Sequence, residues 1–133
     1  MIDDAVTIRL LTERIPDLVV AYRYGSTVEG SSHGESDVDL AFLARQSIAA
    51  EDRWVLKERL SELLRRPVDL VDLRRAPTVL RMQVVSSGIP LVVVDDVERA
   101  RFEDWTFSSY ARLNEERRAI LEQVQREGTV YGR

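Results

Sequence analysis

Short apolar runs and longer segments of helical periodicity alternate along this chain, and that alternation narrows the folds open to it more than any other feature. Residues 18–24, 37–43, 68–73 and 89–94 are brief and rich in β-branched, aromatic and other apolar types, the pattern of buried strands. Between them, apolar residues recur at three- and four-residue steps. Ile8, Leu11 and Ile15 mark a helix over 3–15, which Pro16 closes. Trp54, Leu56, Leu60, Leu63 and Leu64 mark a second over 51–65, and Pro67 blocks its extension. Residues 77–86 read as a third, ended by Ser86-Ser87-Gly88. From Val97 to about Arg126 the pattern is again helical and long, with Phe102, Trp105, Leu113, Ile120 and Val124 on a common side. The order α-β-loop-β-α-β-α-β-α predicts an α/β fold, a small mixed β-sheet flanked by helices. A length of 133 residues suits a single domain over 1–133, with 97–126 as a long C-terminal helix.

Composition limits the chemistry. The chain has no cysteine and one histidine, His33, which excludes thiolate metal sites, disulfide scaffolds and two-histidine zinc centres. Its 19 basic and 23 acidic side chains give a net charge of −4, contrary to a protein that binds nucleic acid by broad phosphate neutralisation. The longest apolar run, Ile89 to Val94, falls far short of the roughly 18–20 residues that cross a bilayer. The first residues, Met1-Ile2-Asp3-Asp4, are acidic where a signal peptide is basic. These features lead us to expect a cytoplasmic protein, free of membrane and nucleic acid, that works with carboxylates, hydroxyls, backbone amides and a hard metal ion.

Tyr24-Gly25-Ser26 is followed, after ten residues, by Asp37-Val38-Asp39-Leu40. A strand ends at Tyr24, and Gly25 lets the backbone turn sharply and approach a ligand closely. A helical turn beginning near Ser26 would aim free amides and a hydroxyl at a phosphate. Asp37 and Asp39, two apart on a strand, project from one face. Adjacent carboxylates repel unless a cation sits between them, and all-oxygen ligands suit Mg²⁺ or Mn²⁺. Separately, Asp-x-Asp is an ordinary turn cap and Gly-Ser an ordinary turn. Together, in order and between two apolar strands, they describe a metal-dependent phosphoryl or nucleotidyl transfer site. The run Val68-Asp69-Leu70-Val71-Asp72-Leu73 offers a third carboxylate. Asp69 and Asp72 lie on opposite faces of a regular strand, so only one can join Asp37 and Asp39. Asp69, deeper in the apolar run, is favoured over Asp72; a salt bridge to Arg66, Arg74 or Arg75 is the competing use of either.

Gly25-Ser26, the ten-residue spacing and Asp37-Val38-Asp39 resemble the signature of the polymerase beta-like nucleotidyltransferase superfamily. Ser36-Asp37-Val38-Asp39-Leu40 and Arg66-Pro67-Val68-Asp69-Leu70-Val71 are similar to its minimal nucleotidyltransferases, the MNT proteins, over roughly residues 5–95. The resemblance implies the nucleotidyltransferase fold and two Mg²⁺ ions held by Asp37, Asp39 and Asp69, with Gly25 and Ser26 on the triphosphate of ATP. It also implies the antitoxin of a HEPN/MNT toxin–antitoxin pair, an enzyme that transfers AMP from ATP to a tyrosine hydroxyl of its HEPN toxin (AMPylation). Many relatives carry Ala-Arg-Gly where this chain has Val28-Glu29-Gly30. A glutamate there repels phosphate, and Arg23, Arg45 or His33 are the cations available to compensate.

Two other functions fit the same residues: an antitoxin that acts by binding alone, and an adenylyltransferase of small molecules such as antibiotics. The latter needs an acceptor pocket, which a chain of this length must borrow from a partner or a homodimer. Elsewhere, His33 reads as a solvated loop residue, and Trp54, Phe102 and Phe107 as core. The last helix outruns any sheet of this size, which makes residues 98–126 the candidate interface, and the tail from Gly128 reads as frayed.

Overall fold

Asp3 starts the first helix, its carboxylate accepting a hydrogen bond from the Val6 amide at 3.2 Å. In the computed structural model, which describes residues 3–25 and 37–131, the elements follow in the expected order. They are α1 (Asp4–Arg14), β1 (Leu18–Tyr24), β2 (Val38–Ala44), α2 (Ala50–Leu64), β3 (Val68–Asp72), α3 (Thr78–Ser87), β4 (Ile89–Val93) and α4 (Asp96–Tyr131). The four strands form one sheet in the order β3-β2-β1-β4. β1 is antiparallel to both β2 and β4, whereas β2 and β3 run parallel, with α2 as the crossover between them. The sheet is therefore mixed, as the alternation predicts.

Side-chain alternation along the strands divides the core in two. Val38, Leu40 and Phe42 of β2 and Val68 and Leu70 of β3 pack with Leu10, Leu11 and Ile15 at α1 and Leu56 and Leu60 of α2. On the opposite face, Tyr22 and Tyr24 of β1 and Ala41 and Leu43 of β2 pack with Leu73, Ala76, Val84 of α3 and Phe102 of α4. Full burial of side chains such as Phe42 and Leu60 contributes roughly 1.5–3 kcal/mol each. The second face also carries Asp39, because it alternates with Leu40 and shares the parity of Ala41 and Leu43.

Two expectations about side chains are corrected. Trp54 is 59% exposed: two residues before Leu56, it lies more than half a turn from the face that Leu56 and Leu60 bury. Phe107 is also exposed, because Phe102 and Thr106 take the docked face of α4 and the next residue turns away from it. Phe102 is core, as expected. The last helix spans Asp96–Tyr131, past the expected end near Arg126.

Candidate active site

Asp39 and Asp69 are direct register partners on the parallel strands β2 and β3, so both side chains project from the α3/α4 face of the sheet. Tyr24 pairs with Asp39 across β1 and β2, which extends the row to Tyr24-Asp39-Asp69 over three adjacent strands. Asp37 stands just before β2 and is exposed, two residues from Asp39 and on the same side. Gly25 closes β1 with φ +78°, the left-handed region, and its Cα lies so close to Asp39 that a Cβ would collide with Oδ2. The expected Gly25, Asp37, Asp39 and Asp69 thus gather at one end of the sheet. Ser26, Glu29 and His33 lie outside the described residues.

The electrostatics follow from that placement. Asp39 is held above the ordinary carboxylate range, first by partial burial, then by the charge of Asp69 and then by that of Asp37. The Tyr24 hydroxyl is pushed up to about 12, first by burial and then by Asp39 and Asp69. One row of side chains therefore concentrates negative charge around Asp39. The chemistry of this donor set fits a divalent metal: oxygen donors only, mutually repelling, on paired strands. Among the described residues, no three His, Cys, Asp or Glu side chains, the three aspartates included, are grouped closely enough as they stand to hold a metal ion.

Register separates Asp69 from Asp72. Asp69 is exposed and sits opposite Asp39, whereas Asp72 is buried at the far end of β3, opposite Phe42. The expectation that Asp69 is the deeper of the two is therefore reversed. The arginine contacts belong to Asp72: its Oδ1 accepts from the Arg74 amide at 3.0 Å, and Arg75 Nε lies 4.0 Å from its Oδ2. Two of the cations considered as offsets for Glu29 are engaged elsewhere. Arg23 points to the α1 face and pairs with Asp4 at 2.5 Å, and Arg45, at the opposite end of β2, pairs with Asp95. Tyr24 is the neighbour that sequence reasoning missed; its place in the alternation of β1, directly before the glycine turn, is the signal that marks it.

A row of aspartates on paired strands beside a glycine turn is the arrangement that the sequence signature leads one to expect of a nucleotidyltransferase. Residues 7–97 match the family model described as polymerase beta, nucleotidyltransferase, and the chain belongs to that family. Within it, the chain is 41% identical to the protein adenylyltransferase MntA of Shewanella oneidensis over 117 residues, 88% of this chain and 84% of the relative. It superposes with a TM-score of 0.83, at 39% identity, on a crystal structure of a toxin–antitoxin with AMP-PNP, covering 92% of this chain and 98% of the other. It also matches the structure of a tri-AMPylated Shewanella oneidensis HEPN toxin in complex with its MNT antitoxin, with a TM-score of 0.76, 37% identity and coverages of 92% and 95%. Among the described residues, no helix is long and apolar enough to cross a membrane.

Proposed function

We propose that this protein is the antitoxin of a HEPN/MNT pair and transfers AMP from ATP to a tyrosine hydroxyl of its partner toxin in the cytoplasm. The observation that carries this reading is the register of Asp39 against Asp69 beside the Gly25 turn. The similarity to an adenylyltransferase, over nearly the whole of both chains, supports the choice of reaction. In this reading Gly25 and Ser26 would contribute backbone amides and a hydroxyl to the triphosphate. Asp37, Asp39 and Asp69 would hold two Mg²⁺ ions, or Mn²⁺ in their place. When bound, such ions neutralise charge on the triphosphate and acidify the acceptor hydroxyl.

The remaining chemistry falls to the chain. The acceptor oxygen attacks the α-phosphorus in line, the bond to pyrophosphate breaks, and Asp69, the exposed member of the row, receives the hydroxyl proton. Asp39, hemmed in by Gly25 and flanked by Tyr24 and Asp69, is the fixed member that orients the pair. The intact row favours catalysis over inhibition by binding alone, which has no use for costly like-charge packing. The test is Asp39→Ala incubated with toxin, Mg²⁺ and labelled ATP. Label on the toxin should fall at least about a hundredfold; transfer at the wild-type rate would refute the assignment.

A further inference from the structure

α4 has two unlike halves. Up to Tyr110 it lies against the domain, with Phe102 and Thr106 buried and Glu103 accepting from the Tyr22 hydroxyl at 2.7 Å. From Asn114 to Glu127 every side chain is exposed, although Ile120, Leu121 and Val124 are large and apolar, each about 60% exposed. One side of the helix is spaced as a heptad seam: Tyr110, Leu113, Ile120 and Val124, with the charged Arg117 and Glu127, alternate three- and four-residue steps. This seam continues the face by which Phe102 and Thr106 dock the first half. A projecting helix of about five turns, charged on its outer side, gains little stability by itself, and heptad spacing fits another helix.

We propose that the projecting half of α4 pairs antiparallel with the same segment of a second copy of this chain. The argument is self-complementarity. In an antiparallel pair the first seam position of one helix faces the second of its partner. A two-fold axis between residues 121 and 123 sets Ile120 against Val124 of the other copy, and Val124 against its Ile120. The same axis sets Arg117, the basic member of the seam, against Glu127, its acidic member, twice over. Leu121 falls beside its own symmetry mate at the edge of the seam. No other part of the helix needs to shift, because this register brings position 131, where α4 ends, opposite position 113, where the free half begins. The two domains then sit at opposite ends of the pair and do not collide. The seam is short, so the dimer is expected to dissociate on the order of 10 µM.

The test is charge reversal in the full 133-residue chain, with mass measured by light scattering during gel filtration at about 100 µM. Wild type should run at twice the 15.2 kDa chain mass. Arg117→Glu and Glu127→Arg should each weaken the dimer at least about tenfold, with unchanged circular dichroism because both sites are exposed. The double variant, and an equimolar mixture of the two single variants, should restore it, since each places opposite charges across the pair. A wild-type chain that stays monomeric, single variants that dimerise like wild type, or a double variant without rescue would each overturn the proposal. A monomeric chain whose Ile120→Glu variant loses toxin binding would assign this face to the toxin instead.

Discussion

The Asp39 carboxylate fills the space where a Gly25 side chain would begin. A Cβ on Gly25 would overlap Oδ2 and lie 3.2 Å from Cγ. The glycine also holds φ +78°, which costs other residues roughly 1–3 kcal/mol. Gly25→Ala should therefore act twice: thermal unfolding should shift down by several degrees, and AMP transfer should fall more than stability explains, by about a hundredfold, because Asp39 is displaced. Rates measured well below the unfolding transition separate the two effects.

Asp69 and Asp72 should give opposite phenotypes. Asp69 is exposed in the row with Asp39, so Asp69→Ala should remove activity and leave urea stability within about 0.5 kcal/mol of wild type. Asp72 is buried, accepts from the Arg74 amide and lies beside Arg75. Asp72→Ala should cost about 1.5–3 kcal/mol, the range for a charged hydrogen-bond acceptor, and retain most of the transfer rate. Equal stability losses in the two variants would contradict the register.

The strands were legible because each is a short apolar run bounded by Pro, Gly or Asp, and the helices because their apolar residues keep helical spacing. Register is another matter. A strand pattern shows that Asp69 and Asp72 face opposite ways, but not which faces Asp39, since that depends on where β3 slides along β2. Burial misled at the same point: Val68, Leu70 and Asp72 share the face covered by α2, so the aspartate at the end of the run is the buried one. The long-range pairs, Arg23 with Asp4 and Arg45 with Asp95, depend on sheet order and leave no local trace. Trp54 and Phe107 misled because size alone suggested core, while their angular positions on α2 and α4 place them outside.

Charge in the aspartate row should make the metal-free protein less stable as pH rises through the carboxylate range. Asp39 is raised in the folded state, so the folded chain holds its proton to higher pH than the unfolded one does. Stability is then full below the unfolded value, about 3.9, and falls as pH climbs through the raised folded value. Asp39→Asn should therefore melt higher than wild type at pH 7 in EDTA, and the gain should vanish near pH 3.5. Adding Mg²⁺ at neutral pH should raise the melting temperature of wild type by mass action and that of Asp39→Asn much less. A variant that melts lower than wild type at pH 7 would contradict the repulsion.

Arg81 secures the face of the sheet that carries the row. Its Nε donates to the Leu73 carbonyl at 2.8 Å and its terminal nitrogen to the Arg74 carbonyl at 3.0 Å, which ties α3 to the turn after β3. The same guanidinium lies 4.5 Å from the ring centre of Trp105, which links that turn to α4, and Trp105 in turn sits 6.2 Å from Phe102. Burial lowers the Arg81 pKa, yet an arginine stays charged at any pH of interest, so the loss on substitution should not depend on pH between 6 and 8. Arg81→Ala should cost about 1.5–3 kcal/mol in urea unfolding from the two carbonyl bonds and the ring contact. Arg81→Lys should recover less than half, because an ammonium cannot serve two carbonyls and a ring in one plane. Full recovery by lysine would show that charge alone, rather than the planar fork, holds α3 and α4 together.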